Sequence, residues 1–147
     1  MSSNDEHARG RLAAPVLRMS NTPPLVYACS GCSSAAQMAN QLALRLDRDR
    51  AADLSAIVDV GAGVADLIRT ARSGRPILAL DGCVSICVAT CLSKAGVTAD
   101  THLVLSDYGV ENKLDVDFDV VLADEVYLRE VLPAALSMTG TARRLHC

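Results

Sequence analysis

Apolar positions in this chain fall into short continuous runs, separated by stretches in which they recur at three- and four-residue steps. Leu25-Val26-Tyr27-Ala28 is such a run, the pattern of a strand buried on both faces. Ser34 and Gln37 have the S-x-x-Q spacing of a capping box. They predict a helix to about Arg48, with Ala35, Met38, Leu42 and Leu46 on one face. Leu54 to Val60 reads as a second strand. Gly61-Ala62-Gly63 then opens a second helix, to about Arg72, which Ser73-Gly74 ends. Ile77-Leu78-Ala79-Leu80 is a third strand after Pro76. A third helix is predicted from about Val84 to Ala95, with Lys94 in its last turn and Gly96 as its stop. His102-Leu103-Val104-Leu105 is a fourth strand. A last helix spans roughly Val120 to Met138, and Pro133 should kink or split it.

Strands alternating with helices of this length imply parallel pairing through crossovers. The expected fold is α/β: a three-layer Rossmann-like or flavodoxin-like arrangement, with a mostly parallel sheet of about four strands. Residues 1–23 are polar and weakly patterned and are expected to be a flexible lead, within which Met19 is a candidate start. Residues 24–140 form the expected domain, and 141–147 a C-terminal tail.

Composition narrows the chemistry. Half of the 147 residues are hydrophobic, yet three Tyr and one Phe are the only aromatics. The core must therefore be aliphatic, and base stacking on nucleic acid is not expected. The formal net charge of -3 argues against a phosphate-backbone binder. No run of about 18 apolar residues occurs, so no membrane span is expected. The N-terminus lacks the apolar core of a signal peptide, so a cytoplasmic location is expected. In that reducing compartment the six cysteines suit metal ligation or redox chemistry better than structural disulfides.

Five of the six cluster. Cys29 and Cys32 have CxxC spacing where the first strand gives way to a helix. Cys83, Cys87 and Cys91 follow the third strand at four-residue steps and would share a helix face if the helix begins near Cys83. In flavodoxin-like order the first and third strands are neighbours, and both loops then meet above the carboxyl edge of the sheet. Two thiolates from each loop make a tetrahedral four-sulfur set of the kind that closes around Zn2+. Cys29, Cys32, Cys83 and Cys87 are the candidate metal ligands, with Cys91 in reserve. Helix N-termini at both loops would favour thiolate. The plain alternative is that some of these cysteines are small buried hydrophobes, Cys91 above all.

The segments Val26-Tyr27-Ala28-Cys29-Ser30-Gly31-Cys32-Ser33 and Arg75-Pro76-Ile77-Leu78-Ala79-Leu80-Asp81-Gly82-Cys83, with Cys87 and Leu92 to Gly96, resemble the DGC domain family. That resemblance covers about residues 25–120. It implies a small zinc-binding protein with four cysteine chelators, which map here onto Cys29, Cys32, Cys83 and Cys87. The chain departs from the family pattern in having Val84 where proline is usual, and Ala56 where a cysteine is usual. Cys91 is the candidate replacement for the latter.

Other readings compete. CxxC opening a helix also suits a dithiol redox or sulfur-transfer protein, with Cys29 as nucleophile and Cys32 as resolving thiol. The same four thiolates suit an iron-sulfur cluster. Ile57-Val58-Asp59-Val60-Gly61-Ala62-Gly63 resembles an S-adenosylmethionine loop, although a plain tight turn is the favoured reading. A cysteine-phosphatase loop is excluded, because Ala35 stands where an arginine is needed. Asp81 is expected to accept N-H bonds that fix the Asp-Gly-Cys turn, with Gly82 at positive φ. His102 is expected to be structural or exposed, and His146-Cys147 an adventitious metal binder. The expected partner is a metal ion, with no nucleic acid and no membrane; a homodimer or protein partner could use the Ala-rich last helix.

Overall fold

The computed structural model describes residues 22–139. Met19, most of the lead and the His146-Cys147 pair lie outside the described residues. Four parallel strands form one sheet in the order β2-β1-β3-β4. They are β1 (Leu25–Ala28), β2 (Asp53–Leu54), β3 (Ile77–Asp81) and β4 (Thr101–Val104). Leu25 to Ala28 pair with Ile77 to Leu80 in strict register, so the first and third strands are adjacent at the centre. The expected three-layer α/β architecture and strand order are both present.

Strand periodicity divides the core in two. Val26, Ala28, Leu78 and Leu80 face one layer, built by α1 (Ser34–Arg48) and the C-terminal helices. Leu25, Tyr27, Ile77 and Ala79 face the other, built by α2 (Ile57–Gly61), α3 (Ala65–Ala71) and α4 (Cys87–Lys94). All of these strand residues are buried, which is why each run is apolar without alternation. Among the described residues no helix is long and apolar enough to cross a membrane.

Three expectations need correction. The second strand is only two residues long: Ser55 still donates its N-H to Val26 O at 3.1 Å, and the chain then turns into α2. The β-branched run Ile57-Val58-Asp59-Val60 reads as a strand by propensity, but tertiary packing decides otherwise. Val60 is buried against α4 while Val58 is 69% exposed. Gly61-Ala62-Gly63 therefore joins two helices, not a strand to a helix, and does not have the setting of an S-adenosylmethionine loop.

The third helix begins at Cys87 rather than near Val84. Cys83 consequently lies in the preceding loop, and only Cys87 and Cys91 share a helical face. The last helix is continuous but not uniform. α5 (Val120–Val126) passes through a π turn (Tyr127–Val131) into α6 (Leu132–Met138). Leu132 donates to Tyr127 O, five residues back. This widened turn accommodates Pro133, which has no N-H to give and whose ring would clash with an ordinary preceding turn.

Candidate metal centre at the sulfur edge

Both cysteine segments leave the same edge of the sheet, from adjacent strands. Cys29 directly follows β1 and donates its N-H to Leu80 O at 3.0 Å, extending the ladder by one residue. Its Sγ accepts the N-H of Gly82 at 3.1 Å. One hydrogen bond thus links the CxxC segment to the Asp-Gly-Cys segment across 53 positions of sequence.

Gly82 is required here by proximity, not by backbone sign, since its φ is not positive. A Cβ at this position would stand 2.7 Å from the carbonyl carbon and oxygen of Ala35 and 2.9 Å from Ala36 N. Only hydrogen fits between the end of β3 and the first turn of α1. That turn is capped by Ser33, whose Oγ accepts Ala36 N-H at 3.2 Å, while Gln37 reaches back to Cys32 O. The cap is therefore one residue earlier than the capping-box spacing implied. Ser34 is instead 5% exposed and bonded elsewhere. It donates to Glu111 O, accepts Lys113 N-H, and gives its own N-H to Lys113 O.

The second segment is supported differently. Asp81 ends β3 with its side chain only 1% exposed. Its Oδ1 accepts Val88 N-H at 2.8 Å, and its Oδ2 accepts Ala89 N-H at 3.2 Å. These are N-H groups that the first turn of a helix leaves without intrahelical partners. The residue at the cap position, Ile86, offers no side-chain bond and sits at φ 43, ψ 47. A β-branched residue in the left-handed region costs on the order of 1–3 kcal/mol. The Asp81 carboxylate closes residues 81–88 into a ring that contains Cys83 and Cys87. His102, on the neighbouring edge strand, completes the arrangement: its Nε2 lies 2.8 Å from Asp81 Oδ2, with the imidazole 30% exposed.

Asp81 does accept N-H bonds as expected, but from α4 rather than within its own turn. No local signal in the sequence pairs it with His102. The bond needs β3 and β4 side by side, with Ala79 opposite His102 and Asp81 opposite Val104.

The five cysteines of the described residues are all free thiols. Cys29, Cys83 and Cys91 are half-buried, while Cys32 and Cys87 are exposed. Cys29, Cys87 and Cys91 line a cavity of about 160 Å³ walled by Ile57, Val58 and Val88. Gly61 lies beneath Cys91, where a Cβ would come within 3.1 Å of the sulfur. A larger cavity, about 390 Å³, opens between α1 and residues 109–119 and contains no cysteine.

Burial pushes the Cys29 thiol up to about 11, against a lowering by the Gly82 N-H and a further raising by Asp81, Cys87 and Cys83. The expectation that a helix N-terminus favours thiolate therefore fails for Cys29: desolvation outweighs it. The same interactions place Cys83 and Cys87 within electrostatic reach of Cys29. Cys29, Cys87 and Cys91 thus share one cavity, Cys83 acts on Cys29 from the adjoining loop, and Cys32 is exposed. Among the described residues, no three His, Cys, Asp or Glu side chains stand close enough to hold a metal ion as they are. The donors are chemically suited to a soft or borderline cation.

A family model described as the DGC domain matches residues 25–129. The anaerobic and virulence modulator AnvM of Pseudomonas aeruginosa is 52% identical over 105 residues, which cover 71% of this chain and 80% of that protein. No solved structure matches.

Proposed function

The chain belongs to the DGC domain family, and from that premise we propose that its sulfur edge takes up Zn2+ reversibly, in a sensing or delivery role. Cys29, Cys32, Cys83 and Cys87 are the ligands, and Cys91 is the alternate. The observation that carries this reading is the Gly82 N-H to Cys29 Sγ bond at the junction of the two segments, with Cys83 and Cys87 beside it. Bound zinc would hold the thiolates in a tetrahedron and bring no redox chemistry of its own.

The chain's residues divide the work. Cys29 is anchored by backbone on both sides, while Cys32 and Cys87 are exposed and free to close. A donor set that assembles on binding suits exchange better than permanent structural closure. Deprotonating Cys29 opposes uptake, because burial holds its thiol up at about 11. Asp81 is committed to backbone and His102, which leaves it unavailable as a ligand. The relative's name ties that protein to modulation under anaerobic conditions. A cysteine site responsive to metal or oxidant supply is a chemistry through which such a module acts, and the cytoplasm is a compartment that keeps it reduced.

The dithiol redox reading is weaker on the same observation. An attacking CxxC thiol needs a depressed pKa, and that of Cys29 is raised.

The test is elemental analysis and visible absorption of protein purified without oxygen. One colourless zinc per chain, lost in Cys83→Ser, is the expected result. A brown protein with a broad band near ~400 nm would replace zinc by an iron-sulfur cluster. Metal-free protein that readily forms a Cys29–Cys32 disulfide would overturn the metal reading in favour of redox.

A further inference from the structure

The brace that Asp81 makes across this ring has one side chain reachable from solvent, that of His102. Val88 and Ala89 N-H are covered by the carboxylate, and Asp81 is itself 1% exposed. His102 stands at the outer end of the chain of contacts, on edge strand β4. We propose that His102 is a positioning residue for Cys87: acting through Asp81, it sets both the reactivity of that thiol and the metal affinity of the sulfur edge. The affinity half of this proposal rests on the zinc reading; the reactivity half does not.

Cys87 is the first residue of α4, and its side chain is exposed. The N-H groups of the next two residues, Val88 and Ala89, are held by Asp81, so the first turn of the helix, and Cys87 with it, keeps its place only while the carboxylate does. What keeps it in place is not local. Oδ1 has one partner, Val88 N-H at 2.8 Å. Oδ2 is shared between Ala89 N-H at 3.2 Å and His102 Nε2 at 2.8 Å. The shorter bond on Oδ2 is the one to His102, so the imidazole aims the carboxylate at the helix.

The strain in the ring points the same way. Ile86 stands at φ 43 immediately before Cys87, and Ile86 N-H reaches Cys83 O at 3.2 Å. A β-branched residue in that region persists only where its surroundings impose it. Asp81 imposes it by tying Val88 and Ala89 back to the strand end. Release of the carboxylate lets Ile86 relax and moves Cys83 and Cys87 relative to Cys29. Loosening the brace is thus expected to speed Cys87 chemistry and weaken metal capture.

The experiment compares His102→Ala and His102→Gln with the unmodified protein. Metal-free, reduced protein is labelled with a maleimide, and mass spectrometry follows the Cys87 peptide against the Cys32 peptide. Both thiols are exposed, so Cys32 serves as an internal control. The expected result is a several-fold rise in the Cys87-to-Cys32 rate ratio in His102→Ala. In His102→Gln, whose amide retains a donor for Asp81, the ratio should stay near that of the unmodified protein. An unchanged ratio in folded His102→Ala overturns the proposal, and so does an equal rise in both variants. If His102→Ala does not fold, amide exchange in the unmodified protein decides. Val88 and Ala89 should exchange as slowly as buried Leu92, and loop-like exchange at those two amides overturns the brace. Zinc affinity, read by competition with a chromophoric chelator, should fall about tenfold in His102→Ala. An unmodified protein that takes up no zinc defeats the zinc reading, while the rate ratio still tests the brace.

Discussion

The two cysteine segments start from the same ingredients: a buried strand, a turn with two cysteines, then a helix. They are held in different ways. The first has a helix cap of its own, with Ser33 capping α1 three residues ahead and Gln37 returning to Cys32, although Ser34 also ties its first turn to Glu111 and Lys113. The second has no cap of its own. It passes through left-handed Ile86 and depends on Asp81, seven residues back, which depends in turn on His102 across the sheet. A locally closed turn is robust to change elsewhere. A remotely closed one can be altered from a distance, and it carries the exposed thiol Cys87.

The largest expected effect breaks the second segment alone. Asp81→Ala leaves Val88 and Ala89 N-H without their acceptor, and the imidazole without its partner. Unpaired buried donors cost about 1–3 kcal/mol each, so the total should be roughly 4 kcal/mol, read as the shift in urea unfolding. Gly82→Ala strikes both segments at their contact. Its methyl group meets backbone that cannot give way, and the loss should be about 3 kcal/mol. Ser33→Ala tests the first segment alone and should cost only about 1 kcal/mol, the usual value of a helix N-cap. If Ser33→Ala proves as damaging as Asp81→Ala, the contrast between local and remote closure is wrong.

A separate effect concerns protonation. Burial raises the Cys29 thiol from 9.0 to about 11, so the folded state keeps a proton that the unfolded chain releases first. The associated stability is fully present below about pH 9 and is lost as pH rises towards about 11. At pH 8 a thiol titrating near 11 is about one part in a thousand thiolate. Iodoacetamide should therefore label exposed Cys32 well before Cys29 in metal-free protein, with the gap narrowing as pH rises. Equal rates at pH 8 would contradict the burial argument.

Much of this was legible in the sequence, for definite reasons. β1 and β3 are continuous apolar runs because both of their faces are covered, and their adjacency follows from the flavodoxin-like order of an alternating chain. That adjacency brings Cys29 and the Asp-Gly-Cys segment together. What was not legible depends on tertiary contact. Ile57 to Val60 has strand propensity but turns helical, because Val60 and Gly61 pack on α4. The positive φ of Ile86 runs against the preference of its own side chain. Ser34 reads as a cap, yet its partners lie 77 and 79 positions away. The Asp81–His102 pair has no spacing signature at all. Pro133 correctly announced an irregularity, although a π turn absorbs it without a break.

The close approach of Gly82 to Ala35 also bears on how the sulfur edge comes into being. The two positions are far apart in sequence and meet only when the central parallel pair of strands has docked, a non-local event of the slow kind. The Asp81 brace adds a still later requirement, since its partner belongs to the last strand. A chain emerging from the ribosome therefore presents Cys29 and Cys32 well before it can present the finished edge. The sulfur edge is a product of folding rather than its nucleus. Chelators should then strip this protein of any bound ion while leaving its sheet standing, unlike small zinc modules that unfold when their metal is removed.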